Sequence, residues 1–153
     1  MTGAAGLSAE AVGGPLLLHH VGIVVGDLDA AAARYATLGF GPGERFAVAE
    51  QGIEAILFAA GPGYVELIQP TDPDGPIARF HAKRGDTVHH VAYRVDDLAA
   101  VLARLTAAGV RLIDEIPRRG LHGWKIAFVH PEAGSGVLTE LIEVPVAPAA
   151  HSE

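Results

Sequence analysis

One phrase constrains this chain more than any other. It occurs as Leu18-His19-His20-Val21-Gly22 and again as Val88-His89-His90-Val91-Ala92. Two apolar runs that each open on a histidine pair point to two copies of one unit. The spacing repeats as well: Asp27 follows His20, and Asp97 follows His90, by seven residues, and Gly39 and Gly109 follow by nineteen. Each copy closes on a similar phrase, Val65-Glu66-Leu67-Ile68-Gln69 in the first and Thr139-Glu140-Leu141-Ile142-Glu143 in the second. Matched phrases at both ends of both halves indicate an internal duplication.

Taken in order, each copy reads as a strand, a helix and three strands. In the first, 16–25 is an apolar strand, and Asp27 or Asp29 caps a helix over 28–38 that Gly39 closes. Strands follow over 46–49, 53–60 and 64–69, with turns at Gln51-Gly52 and Gly61-Pro62-Gly63. A loop and a short linker helix over 77–83 lead to the second copy. There 87–95 is a strand, Asp97 caps a helix through Ala107, and 110–116, 124–129 and 137–144 are strands, with 117–123 a loop. The class is α+β, with module one over about 16–70 and module two over about 87–144 inside a single domain, 16–145. Residues 1–15, small and rich in Gly and Ala, read as a disordered leader, and 146–153 as an unstructured tail.

Each module supplies one histidine on its first strand and one carboxylate on its last. Related by pseudo-symmetry, they bring together His20, Glu66, His90 and Glu140. Two imidazoles and two carboxylates suit a divalent first-row ion, and with no cysteine in the chain any metal is held by nitrogen and oxygen. Coordination would also remove the cost of burying a Glu among Val65, Leu67 and Ile68. Strand alternation turns His19 and His89 to the opposite face, a structural role. His81, His122, His130 and His151 have no counterpart in the repeat. A net charge of −7 argues against nucleic acid as a partner. No apolar run is long enough to span a membrane, and the N-terminus has no secretory character, so a cytoplasmic location is expected.

At this point the chain resembles the vicinal-oxygen-chelate (glyoxalase-like) superfamily, and within it the methylmalonyl-CoA epimerase family. The resemblance runs from about Leu18 to Val144. It rests on the two His-His-Val and two Glu-Leu-Ile phrases, on Glu50-Gln51-Gly52-Ile53 and on Asp74-Gly75-Pro76-Ile77. His122-Gly123 and Phe128-Val129-His130-Pro131 add to it. The resemblance implies a half-barrel of two βαβββ modules around a metal site, with His20, Glu66, His90 and Glu140 as ligands to cobalt, manganese, zinc or nickel. It also implies an acyl-CoA substrate and a homodimer.

The implied reaction interconverts (R)- and (S)-methylmalonyl-CoA, or a related 2-substituted malonyl thioester, by removing the C2 proton and returning it to the other face. A divalent ion chelated by the carbonyl and carboxylate oxygens would stabilise the enolate. Glu140 is then an acid/base for one face. The family's second base, in some members a Glu three residues after the Gly of the Gln-Gly turn, is Ala55 here. Glu54, Lys125 and His122 are the alternatives, and His122 is favoured because a loop histidine can reach over a barrel mouth. Other readings are a glyoxalase-type isomerase or lyase, a ring-cleaving dioxygenase, a tailoring isomerase, or a non-catalytic binding protein of the same fold. Retention of all four ligands favours an enzyme.

Overall fold

Each half of the chain builds the same unit. The first runs β1 (Leu17–Val24), α1 (Leu28–Thr37), β2 (Glu44–Val48), β3 (Ile53–Ala60) and β4 (Gly63–Pro70). The linker helix α2 (Pro76–Arg84) follows. The second half runs β5 (Thr87–Arg94), α3 (Leu98–Ala107), β6 (Arg118–Arg119), β7 (Lys125–Val129) and β8 (Thr139–Glu143). This computed structural model describes residues 16–145, so the expected leader over 1–15 and tail over 146–153 lie outside the described residues.

All eight strands form one mixed sheet in the order β2-β3-β4-β1-β5-β8-β7-β6, curled into a half-barrel. Antiparallel β1 and β5 meet at its middle, with β4 parallel to β1 and β8 parallel to β5. The pseudo-twofold therefore passes between β1 and β5. Alternation along each strand separates two faces. On the outer face, Leu28 and Ala31 of α1 pack with Ile56, Phe58 and Leu67. Leu98, Val101, Leu102 and Leu105 of α3 pack with Ala127, Val129 and Leu141. Ile68, Ile126, Phe128 and Ile142 alternate with these to the inner face.

The helix starts explain why the ends of the two halves match. Asp27 accepts a hydrogen bond from the Ala30 amide at 3.0 Å, and Gln69 Oε1 accepts from the Leu28 amide at 2.7 Å. In the second half Asp97 accepts from Ala100 N, and Glu143 Oε1 from Leu98 N, both at 3.1 Å. The last residue of each Glu-Leu-Ile phrase thus ties a strand to the N-terminus of its module's helix, where amides lack intrahelical partners.

One expected strand is absent. Over 110–116 there is only an isolated bridge between Leu112 and Val129. The Asp114 carboxylate accepts the Phe128 N–H at 2.8 Å, a donor that a neighbouring strand's carbonyl would otherwise receive. Phe128 O accepts from both Ile113 and Asp114. Pairing resumes only at β6, two residues inside the stretch read as a loop. Among the described residues no helix is long and apolar enough to cross a membrane.

Replacing Gln69 by Leu leaves the Leu28 amide without its acceptor. The expected cost is about 1 kcal/mol of stability, read as a lower urea midpoint at unchanged slope.

Candidate metal centre

The register between strands sets the four donors in two rows. His90 of β5, Gly22 of β1 and Glu66 of β4 lie side by side. His20 of β1, Ala92 of β5 and Glu140 of β8 form the second row. In each, a small residue stands between an imidazole and a carboxylate. At Gly22 the space is already taken: a Cβ there would fall 2.1 Å from Cε1, 2.5 Å from Nδ1 and 2.6 Å from Nε2 of His90, so the ring would have to move. The bare backbone of β1 is what lets the His90 ring lie across it.

The donors converge. His20 Nε2 and His90 Nε2 are 2.9 Å apart, and Glu140 Oε2 is 3.1 Å from His90 Nε2 and 3.7 Å from His20 Nε2. Among the described residues, these three form a group whose donor atoms all lie within 4.8 Å of one another. Glu66 Oε1, 3.9 Å from His90 Nε2, faces them from β4. His20, His90 and Glu140 are all buried.

Burial and the His90–Glu140 contact together set the charge states. Burial pushes His20 down to about 3 and Glu66 up to about 7, the nearby His90 opposing the latter shift. For His90, burial acts downward, but the hydrogen bond and charge of Glu140 win and hold it above the ordinary histidine value. For Glu140, burial acts upward, but the His90 hydrogen bond and the neighbouring imidazoles hold it below the ordinary carboxylate value. Two carboxylates, one buried (Glu140) and one partly buried (Glu66), facing two imidazole Nε2 atoms fit a divalent ion, whose charge the carboxylates balance and whose borderline softness suits the donor set.

His19 and His89 do not turn away as strand alternation predicts. Leu18 pairs with Tyr93 and His20 with Ala92, so His19 is an extra residue in β1. Gly22 pairs with His90 and Ile23 with Val88, so His89 is an extra residue in β5. These are two β-bulges, which break the alternation locally. Each brings the first histidine of the pair onto the second. His19 Nδ1 is 2.7 Å from His20 Nδ1, and His89 Nδ1 is 2.9 Å from His90 Nδ1. Burial lowers both outer histidines, His89 to about 4.

The pocket over these residues has apolar walls. Phe46, Ile53 and Ile68 line it from module one, Leu121, Trp124, Ile126, Phe128 and Ile142 from module two, and Ile77 from α2. Gln51 and His89 add polar edges. Glu54 points away from it, its Oε1 bonded to Arg45 Nε at 2.8 Å on the outer side. Lys125 also points outward, 3.4 Å from Glu143, the residue that caps α3. Ala55 is fully buried. His122 is not among the side chains that line the pocket but lies at its edge, its ring packed on two that do, Phe46 and Trp124, and its Nε2 3.4 Å from Glu44 Oε1. His81 pairs with Asp86 and His130 accepts from the Glu132 amide, while His151 lies outside the described residues. The repeat did carry one unread signal for the site, the small residue two positions after each inner histidine, Gly22 and Ala92.

Known proteins share this fold. A family model described as Glyoxalase/Bleomycin resistance protein/Dioxygenase superfamily matches residues 19–128. The ethylmalonyl-CoA/methylmalonyl-CoA epimerase of Cereibacter sphaeroides is 38% identical over 130 residues, covering 83% of this chain and 97% of the relative. The crystal structure of methylmalonyl-CoA epimerase from Mycobacterium tuberculosis superposes with a TM-score of 0.81 at 38% identity, covering 94% of this chain and 95% of that one. A methylmalonyl-CoA epimerase in complex with methylmalonyl-CoA and NH4+ gives a TM-score of 0.77 at 36% identity, covering 84% and 94%. With its duplicated modules, its half-barrel and these relatives, the chain belongs to the glyoxalase/bleomycin resistance protein/dioxygenase superfamily.

Proposed function

We propose that this protein is a metal-dependent epimerase that interconverts (R)- and (S)-methylmalonyl-CoA or a closely related 2-substituted malonyl thioester. The observation that carries the reading is the convergence of His20, His90 and Glu140, faced by Glu66, on the floor of an apolar pocket. The names of the relatives at comparable coverage support the substrate class. His20, Glu66, His90 and Glu140 would hold the ion, which when bound supplies Lewis-acid stabilisation of the negative charge that develops on the substrate's carbonyl and carboxylate oxygens.

The chain's own residues account for the proton. Glu140 is held ionised by its neighbours, so it can accept a proton from C2 on one face. The C2–H bond breaks, and its electron pair delocalises into the thioester carbonyl. The planar carbon then needs a proton from the opposite side. Of the three side chains considered for that role, Glu54 and Lys125 point outward, which leaves His122 at the pocket's edge. Phe46, Trp124, Ile126 and Phe128 exclude water, so charge interactions inside the pocket are stronger than in solvent.

Exchange of the C2 proton of methylmalonyl-CoA in D2O is the direct test. Exchange is expected with Co(II), Mn(II) or Zn(II) and lost with a chelator; an inactive metal-loaded protein would sink the epimerase reading. Glu140→Gln should lower turnover by about 10²–10⁴-fold. His122→Gln should lower epimerisation while one epimer still exchanges its proton with solvent, and a variant that epimerises at the wild-type rate removes His122 from the mechanism. Gly22→Ala alters no ligand residue but displaces the His90 ring, so metal affinity measured by titration calorimetry should fall by at least about 10-fold.

A further inference from the structure

We propose that His19 and His89 are positioning residues: each accepts, at Nδ1, a hydrogen bond from the Nδ1–H of the histidine that follows it, and so fixes the tautomer that points an Nε2 lone pair into the metal centre. The inference rests on the reading of His20 and His90 as ligands and goes beyond it by giving a task to the outer histidine of each pair.

The geometry leaves little freedom. Two imidazole Nδ1 atoms 2.7 or 2.9 Å apart share a single proton. The Nε2 atoms of His20 and His90 are the ones that converge, beside Glu140, and a nitrogen that binds a metal carries no proton. The proton of each inner ring therefore sits on Nδ1. The outer ring then presents its Nδ1 lone pair and carries its own proton on Nε2. The same relation is built twice, on β1 and on β5.

Both outer rings are held for this task. His19 is packed against Tyr64 and Trp124, with ring centroids 5.3 and 5.1 Å away. His89 stands edge-on to Phe80 at 4.8 Å. The bulges serve the same end, because regular alternation would put neighbouring residues on opposite faces and out of reach. Metal-ligating histidines commonly donate their second N–H to a carboxylate or a backbone carbonyl. Here a third carboxylate would add charge beside Glu66 and Glu140, whereas a neutral imidazole orients the ligand without adding any.

The test separates acceptor from filler. Asn at position 19 or 89 offers a side-chain oxygen near the place of Nδ1, while Leu offers similar bulk and no acceptor. Co(II) affinity of the full-length protein is measured by calorimetry for His19→Leu, His19→Asn, His89→Leu and His89→Asn, with His20→Ala as the control for loss of a ligand. The Leu variants should bind Co(II) about 10–100-fold more weakly than wild type, and the Asn variants should recover most of that loss. A packing role predicts the reverse order, and Leu variants that bind like wild type would overturn the proposal. The tautomers are read in the unaltered protein loaded with Zn(II), from ¹⁵N shifts of the imidazoles, so one result does not depend on any variant folding. Nδ1–H is expected on His20 and His90 and Nε2–H on His19 and His89; Nδ1–H on either outer ring overturns the proposal. Wild-type protein that takes up no metal would overturn the metal reading and this inference together, whereas tight wild-type binding with indifferent variants overturns this inference alone.

Discussion

Everything at the site depends on the antiparallel pairing of β1 with β5. These are the first strands of the two modules, and their register puts Gly22 beside His90 and Ala92 beside His20. The parallel strands β4 and β8 then bring Glu66 beside Gly22 and Glu140 beside Ala92. A slip of one residue by either strand would carry its inner histidine to the helix-covered face. Two features mark the register. The bulges at His19 and His89 fall at the two histidine pairs, and the His90 ring lies where a Cβ at position 22 would be.

Electrostatics make this an arrangement that serves something other than stability. Glu66 and Glu140 lie in a low-dielectric floor with two imidazoles, and the opposed shifts of the two carboxylates show how unequal their surroundings are. Glu140 is stabilised as an anion by His90, while desolvation pushes Glu66 toward its neutral form and His90, farther away, offsets only part of that. Isolated buried charges cost several kcal/mol each in proteins, at order of magnitude, and apolar residues of similar volume would pack as well. A bound divalent ion is the partner that would remove the inequality. The helices on the outer face supply the stability that such a floor does not, through Leu28, Leu67, Leu98, Leu102, Leu105 and Leu141, all nearly inaccessible to solvent.

Much of this was legible in the sequence because duplication writes the same physical requirement twice. Helix caps at Asp27 and Asp97, the glycines that close the helices and the matching Glu-Leu-Ile strands are local signals with local causes, and the structure has each where the residues put it. The convergence of His20, His90 and Glu140 followed from the pairing of corresponding positions. What could not be read was whatever depends on a neighbour distant in sequence. The segment 110–116 has strand composition, but Asp114 takes the Phe128 amide and interrupts pairing. Alternation failed at His19 and His89 because a bulge is defined by the partner strand. The demand for Gly22 belongs to a ring on β5, so its own strand gives no reason for a glycine, and only the matching small residue Ala92 in the second copy hints at it.

The two modules are most alike at the pocket floor and diverge at its edge. Both have a one-turn 3₁₀ segment just before the third strand, Ala49–Gln51 in the first and Leu121–Gly123 in the second. Gln51 precedes Gly52 as His122 precedes Gly123, and both glycines have positive φ. The repeat therefore sets a neutral amide at one edge of the pocket and an imidazole at the other. His122 is itself in the left-handed region, with φ 54, a conformation uncommon for a residue with a Cβ. A floor with near-twofold symmetry can hold an ion without favouring either face of a bound planar group. The proposed reaction would handle a proton differently on the two faces, which requires that the symmetry be broken, and the two modules do differ, with Glu140 against Glu66 in their surroundings at the floor and His122 against Gln51 at the edge.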